Sequence, residues 1–252
     1  MTTSPLLVLE NIGHAYLGRT VLDGIDLTLA EGEVVALVGP SGCGKSTLAH
    51  IAAGVIAPLR GRVSSSSRRH GMVFQDPRLL PWATARDNIG YPLRIRGMPR
   101  KERREKVSTA ALRAALDDAD LDKYPVEMSG GMRQRTAIAR ALAVEPDLVY
   151  FDEPFTALDV ALKRRMQDLV IAASHAAHFG ALFITHDLLE AVRIAHRVTV
   201  MDAHGHGIVG ERAIPGQPGE RDDAELFHLV GRFMSDDPLF RHIHDIDERR
   251  LP

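Results

Sequence analysis

The apolar positions of this chain fall into short runs whose spacing separates strands from helices. Leu6–Leu9 and Ile12–Tyr16 are short β-prone pieces, and Leu22, Ile25, Leu27 and Leu29, with Asp26 and Thr28 interleaved, alternate like a strand with one wet face. Glu31-Gly32-Glu33 turns the chain into Val34-Val35-Ala36-Leu37-Val38, an unbroken apolar run of buried-strand length, and Leu48–Ala53 then reads as helix. Pro58–Gly61 breaks the chain, and Ser64–Ser67 with Arg68 and Arg69 predicts an exposed loop. Gly71–Phe74 predicts a second buried strand ending at Gln75, and residues 83–142 turn largely helical. Strand Leu148–Phe151, helix Val160–His178 and strand Ala181–Ile184 follow. Val198–Met201 and Ile208-Val209 predict a hairpin around His204-Gly205-His206-Gly207. Pro215–Gly219 predicts a linker, and Leu226, Leu229, Val230 and Phe233 a short amphipathic helix. Strand–helix alternation on both sides of a helical block makes this an α/β chain, with an antiparallel β layer in front and an inserted helical lobe.

Composition narrows the picture only at a few points. With 252 residues, 45% hydrophobic and 25% charged, the chain has room for one large domain or a core with a smaller lobe. A formal charge of -2 gives no global basic field that would favour nucleic acid. The single cysteine, Cys43, excludes an internal disulfide. The N-terminus lacks the pattern of a signal peptide, and no apolar run approaches the roughly 18 residues of a membrane span. One charge run stands out: Arg94 to Lys106 carries seven basic residues against Glu102 and Glu105, which reads as a solvated helix face ahead of lipid or nucleic-acid contact.

The candidate chemistry starts at Gly39-Pro40-Ser41-Gly42-Cys43-Gly44-Lys45-Ser46-Thr47, between the buried strand and the first helix. Gly39, Gly44, Lys45 and Ser46 fit the spacing of a loop that wraps phosphates with backbone N–H groups, and the helix behind it favours an anion. Lys45 supplies a charge for the terminal phosphates, and the Ser46 hydroxyl a place on Mg²⁺. A nucleoside triphosphate is the expected ligand.

Further positions lie at strand or helix ends. Gln75 ends a strand where open α/β sheets bind ligands, although a solvated glutamine would look the same. Ser129-Gly130-Gly131 precedes a helix and reads either as a second anion cradle or as an N-cap with a flexible lead-in. Asp152 and Glu153 close a fully apolar strand, where carboxylates are costly unless paired or metal-bound. Asp152 is suited to Mg²⁺ and Glu153 to polarising a water. His186, among 12 histidines, is singled out by its place just past a strand end. Tyr16 offers an aromatic face for an adenine ring or is an ordinary tyrosine.

As a set, these residues resemble the ATP-binding cassette family, the nucleotide-binding subunits of ABC transporters, from Tyr16 to about Met201. The resemblance implies the fold of that family: a P-loop NTPase core with a mixed sheet and an antiparallel β layer, spanning 6–212, and a helical subdomain inserted at about 77–142. Residues 213–252 would form a linker and a helical tail. It implies that Tyr16 stacks on adenine, that Gly39–Thr47 is the Walker A loop and that Gln75 is the Q-loop glutamine. Ser129-Gly130-Gly131 is similar to the signature motif, with Met128 where leucine is usual, a swap of similar volume. Asp152 and Glu153 match the Walker B aspartate and catalytic glutamate, Asp159 the D-loop aspartate and His186 the switch histidine.

Since the chain carries one of each motif, the resemblance implies a head-to-tail homodimer enclosing two ATP molecules with Mg²⁺. Transmembrane permease subunits are implied as partners, with a substrate-binding protein indirectly and no nucleic acid. That places the chain at the cytoplasmic face of a cell membrane. Val73–Trp82 is similar to importer ATPases of the nitrate, sulfonate and taurine group, and a short spacer before Gln75 points most toward aliphatic sulfonates. A lipid transport ATPase and a soluble ABC switch are the alternatives.

Overall fold

The structure is a computed structural model that describes residues 5–202 and 207–240; most of the turn predicted at His204–Gly207, and the chain beyond Phe240, lie outside the described residues. In chain order the elements are β1 (Pro5–Tyr16), β2 (Arg19–Ala30), β3 (Val34–Val38), α1 (Lys45–Ala52), β4 (Arg60–Ser65) and β5 (His70–Val73). Then come α2 (Ala85–Ile95), α3 (Arg100–Arg113), α4 (Asp118–Leu121), α5 (Gly130–Leu142), β6 (Leu148–Asp152) and α6 (Val160–Ala177). The chain continues through β7 (Gly180–Ile184), α7 (Leu188–Ile194), β8 (Arg197–Met201), β9 (Ile208–Ala213) and α8 (Asp223–Asp236). They belong to two compact units, one of Met1–Ser67 with His178–Pro252, the other of Arg68–Ala177.

The first unit holds an antiparallel sheet in the order β2-β1-β4, with Leu7 opposite Leu29 and Leu9 opposite Leu27. The two β-prone pieces of the sequence are one strand: the register shifts between Leu9 and Ile12, where Asn11 takes φ 49° and its N–H donates to Asp26 Oδ1 at 2.7 Å. That irregularity breaks the alternation without ending the strand. The predicted loop at Ser64–Ser67 is corrected at its start, because Ser64 and Ser65 belong to β4, which pairs with β1 through Leu9 opposite Val63. β4 lies at the sheet's edge with nearly every side chain exposed, so backbone pairing makes the strand and no apolar alternation announces it. Gly61 is required there, since a Cβ would stand 2.3 Å from the Glu10 carbonyl oxygen.

The same unit holds a mixed sheet in which β7, β3 and β8 run parallel and β9 returns antiparallel, as the predicted hairpin requires. Every residue of β3 and β7 is buried, which explains their unbroken apolar runs. Pro215–Gly219 is no free linker. The buried Arg221 donates to the carbonyls of Pro215 (2.8 Å) and Gly216 (2.7 Å), and to those of Val192 (2.6 Å) and Ala195 (2.9 Å) at the end of α7. α8 then starts from a reciprocal cap, Asp222 accepting from the Glu225 amide and Glu225 from the Asp222 amide.

The second unit pairs β5 and β6 in parallel, with Val73 opposite Phe151. Its helices share a core in which Ile89 and Leu93 of α2 meet Val107 and Ala111 of α3, with Met128 and Ala139 beside them. The basic run Arg94–Lys106 is not one helix face. α2 ends at Ile95, Gly97 takes φ 76°, and α3 starts at Arg100 after Pro99.

Candidate functional site

In the first unit the phosphate-loop residues leave the end of β3, and α1 begins at Lys45. Gly44 is the N-cap, at φ 104°, and no side chain caps the helix. A Cβ on Gly44 would lie 2.7 Å from Leu22 Cδ2 and 3.0 Å from the Val21 carbonyl oxygen; one on Gly39 would lie 3.0 Å from the Met201 oxygen and 3.1 Å from Cys43 Sγ. The loop is therefore a backbone-lined turn with no room for side chains at its two key glycines. Lys45 is 5% exposed, and its ammonium donates to the carbonyls of Gly39 and Pro40, at 2.8 Å each. Neutral acceptors leave its positive charge uncompensated, which suits a phosphate chain. Cys43 is buried in the loop; burial pushes its thiol up from the ordinary range against the pull of the Lys45 charge.

Register brings a second element to this place. β3 and β7 pair with Leu37 opposite Ile184, and the Thr185 amide donates to the Leu37 carbonyl at 3.3 Å. Thr185 and His186 therefore leave the sheet at the same end as Gly39, the end where open α/β sheets bind their ligands. His186 is exposed, and Asp187 behind it caps α7 by accepting from the amides of Leu189 (3.0 Å) and Glu190 (3.2 Å). Tyr16 ends β1 with 45% of its surface exposed, and its ring meets His14 edge-on at 4.8 Å between centroids. This is a surface aromatic held by one neighbouring ring.

The second unit repeats the strand-end logic. Because β5 and β6 run parallel in register, Gln75 and the pair Asp152-Glu153 emerge at one end. Gln75 Nε2 donates to Glu153 Oε2 at 3.4 Å. The Thr156 hydroxyl donates to the Glu153 carbonyl at 3.2 Å and lies 3.4 Å from its carboxylate. Glu153 holds φ 45°, a left-handed conformation that costs a non-glycine residue energy and turns its side chain out of the strand's pleat. Asp152 is 2% exposed.

Ser129 realises the N-cap reading: its hydroxyl accepts from the Met132 amide at 3.2 Å, with Gly130 and Gly131 in the first turn of α5. A Cβ on Gly131 would stand 3.3 Å from Leu158 Cδ2, so this turn lies against the segment holding Asp159. Asp159 itself accepts from the Leu162 amide at 2.9 Å and so caps α6. Among the described residues no group of three or more His, Cys, Asp or Glu could hold a metal alone. Within the second unit Gln75 and buried Asp152 offer oxygen donors of the hard kind that Mg²⁺ prefers.

Three residues not singled out by sequence secure the chain on either side of Gln75. Buried Asn88 donates to the carbonyls of Leu80 (3.2 Å), Ala83 (3.0 Å) and Thr84 (3.0 Å), and accepts from the Leu80 amide at 2.7 Å. Arg140 donates to the carbonyls of Pro77 (2.8 Å) and Arg78 (2.9 Å), and Gln134 to that of Phe74 (3.4 Å). The available signal was a polar residue on an apolar helix face, Asn88 next to Ile89 and three past Ala85.

Comparison with known proteins agrees with this geometry. Residues 22–156 match the family described as ABC transporter. The chain is 38% identical to the aliphatic sulfonates import ATP-binding protein SsuB 2 of Burkholderia cenocepacia (strain HI2424), over 96% of this chain and 89% of that one. It is 39% identical to the taurine import ATP-binding protein TauB of Mesorhizobium japonicum (strain LMG 29417 / CECT 9101 / MAFF 303099), over 84% of this chain and 85% of that one. A solved dimeric structure of the ATP-binding cassette MJ0796, in a post-hydrolysis state bound to ADP and Pi, is similar at a TM-score of 0.78 and 29% identity, covering 83% of this chain and 99% of that one. The backbone-lined phosphate loop, the acid pair at a strand end and the capped glycine turn thus occur together in a chain that belongs to the ABC transporter family, as an ATPase of the ATP-binding cassette type.

Proposed function

We propose that this protein is the ATPase subunit of an importer for a small organic sulfonate, of the aliphatic sulfonate or taurine class, working as a homodimer beneath permease subunits. The observation that carries the catalytic part is the Gln75–Glu153 hydrogen bond of 3.4 Å at the end of the parallel strands β5 and β6, next to buried Asp152. A carboxylate turned out of its strand and paired with an amide is a group that can take a proton from water and hand the motion to a neighbour. The substrate class is supported by the names of the relatives at 38–39% identity.

In this reading the Gly39–Thr47 amides and Lys45 bind the β- and γ-phosphates of ATP, and Tyr16 carries the adenine. Ser46, Asp152 and Gln75 would hold Mg²⁺, which would neutralise charge on the phosphates. Glu153 orients and deprotonates the attacking water, and His186 donates toward the γ-phosphate. Ser129–Gly131 of a second copy offers its amides to the same phosphate, so that ATP joins the two copies and hydrolysis releases them. Asp159 positions that turn as the cap of α6. The loop after Gln75, held by Asn88 and Arg140, passes the change to the permease. No helix among the described residues is long and apolar enough to cross a membrane, so contact with the bilayer would run through that partner.

The test has two readouts. Glu153→Gln should bind ATP and elute as a dimer in its presence, with turnover lowered by about 100-fold or more; undiminished turnover would remove Glu153 from its role. Deletion of the gene should abolish growth on an alkanesulfonate or taurine as sole sulfur source, and growth at the parental rate on both would overturn the substrate class.

A further inference from the structure

Folding converts the basic run of the sequence into a different object. α3 folds back beside α2, meeting it at Gly90, where a Cβ would lie 3.3 Å from Val107 Cγ2 and 3.5 Å from Arg103 Cδ. A cavity of about 150 Å³ opens here, lined by Arg86 and Arg94 from α2 and by Arg100, Arg103 and Arg104 from α3, with Asp87 the one acid in its wall. Acidic side chains offset these charges only in part: Asp87 lines the cavity and Glu102 lies in the first turn of α3. Arg86 pairs with Asp122 at 3.1 Å, pointing one guanidinium elsewhere, and Arg103 reaches the Met98 carbonyl at 3.4 Å. Arg94 lies over the Tyr91 ring at 5.3 Å. Neither Arg100 nor Arg104 makes an ion pair or a side-chain hydrogen bond among the described residues.

Helix electrostatics make the arrangement more costly still. Arg100, Lys101, Arg103 and Arg104 crowd the N-terminus of α3 with Glu102 the one acid in its first turn, although the macrodipole there is positive and favours anions, and no side chain caps that end. Packing accounts only for the stem of Arg103, which lies against Gly90; otherwise α3 meets its neighbours through Val107, Ala110 and Ala111. An anion in the cavity would relieve the like-charge repulsion and the uncapped helix end together. Planar guanidinium forks match tetrahedral oxyanions. The volume, well below the roughly 300 Å³ of sites that enclose whole small molecules, limits the ligand to one such group.

We propose that the arginine-lined cavity between α2 and α3 is a second anion site of this protein, separate from the ATP loop, which takes a single phosphate group. The group is carried either by the headgroup of an anionic lipid or by free phosphate. A transporter ATPase works within reach of a membrane whose inner leaflet is anionic, and clustered basic side chains are drawn to such a surface. The proposal does not depend on which solute is transported.

The test compares the full-length protein with Arg100→Gln/Arg104→Gln and with a control of equal charge, Arg62→Gln/Arg113→Gln, whose exposed arginines lie outside the cavity. One arm measures co-sedimentation with phosphatidylcholine vesicles with and without phosphatidylglycerol. The other measures thermal stabilisation by inorganic phosphate; the loop at Gly39–Thr47 contributes equally to all three proteins, so any difference belongs to the cavity. If the lipid is the source, the cavity variant loses about tenfold or more of its affinity for the anionic vesicles while the control stays near the parent. If free phosphate is the source, vesicle binding is weak throughout, and the phosphate-dependent shift shrinks in the cavity variant alone. The proposal is overturned if the cavity variant matches the parent in both arms, or if the control loses as much as the cavity variant. ATP turnover of the cavity variant without vesicles should stay within about twofold of the parent, which shows that the protein has folded.

Discussion

The two anion-attracting regions of this protein are built in opposite ways. The loop Gly39–Thr47 carries one cationic side chain, Lys45, and otherwise relies on backbone: glycines that leave no room for a Cβ, and a helix start with no side-chain cap. The cavity between α2 and α3 gathers five arginines whose side chains supply both the walls and the charge. Backbone dipoles held by packing give fixed geometry, as a reaction requires, whereas long side chains give charge without fixed geometry, as reversible attachment requires. The two regions should therefore fail in different ways.

Lys45→Ala should lower ATP turnover by about 100- to 1000-fold, the range for losing one preorganised donor at a charged transition state. A steady-state ATPase assay checks this, and a loss of only a few-fold would mean that backbone alone suffices. Gly44→Ala tests the claim that a single methyl group is enough to break the loop. With φ 104° and Leu22 Cδ2 2.7 Å from the new Cβ, it should cost about 1–3 kcal/mol in urea unfolding and weaken ATP binding as well. Were it neutral, the loop would be softer than its contacts imply.

Tyr16→Ala should raise KM for ATP about tenfold and leave kcat nearly unchanged, because stacking on a base contributes about 1–3 kcal/mol and is not confined to the transition state. In the arginine cavity the sign reverses: Arg100→Gln/Arg104→Gln should unfold at an equal or higher temperature in low salt, by up to about 1 kcal/mol, and the gain should fade as salt screens the repulsion. Calorimetry at two ionic strengths decides it, and a marked loss of stability would show these arginines to be structural.

The smallest effect concerns pH and serves as a control for the second unit. Burial alone would raise the Asp147 carboxyl, but hydrogen bonds from the Arg69 side chain and from the amides of Arg68 and Arg69 hold it below the usual range. A depressed folded-state pKa adds stability above the unfolded value and loses it as pH falls through the folded one, so this contribution should vanish under acid conditions. Asp147→Asn should flatten that acid limb of a stability–pH curve without altering anion binding in either region.

How much of this was visible beforehand depended on whether the signal was local. Gly39–Thr47, Asp152-Glu153 and Ser129-Gly130-Gly131 are contiguous, and their chemistry follows from residue type, spacing and the neighbouring apolar run, so their placement could be read directly. β4 could not, because an edge strand made by backbone pairing leaves its serines exposed and without pattern. Asn88 and Arg140 hold the loop after Gln75 through carbonyl oxygens, acceptors that every residue has and that no sequence marks. Arg221 likewise turns a proline- and glycine-rich stretch from a linker into a pinned segment.

The sequence by itself determined the α/β character, the phosphate loop, the acid pair and the membership of the set in one family, because these depend on covalent order and on burial patterns a few residues long. Tertiary structure alone decided that Gln75 meets Glu153 at 3.4 Å, since that follows from the register of two parallel strands separated by some 75 residues of chain. It also decided that a charged run is a cavity, since charges spaced along a chain attract an anion together only when the backbone folds them onto one another.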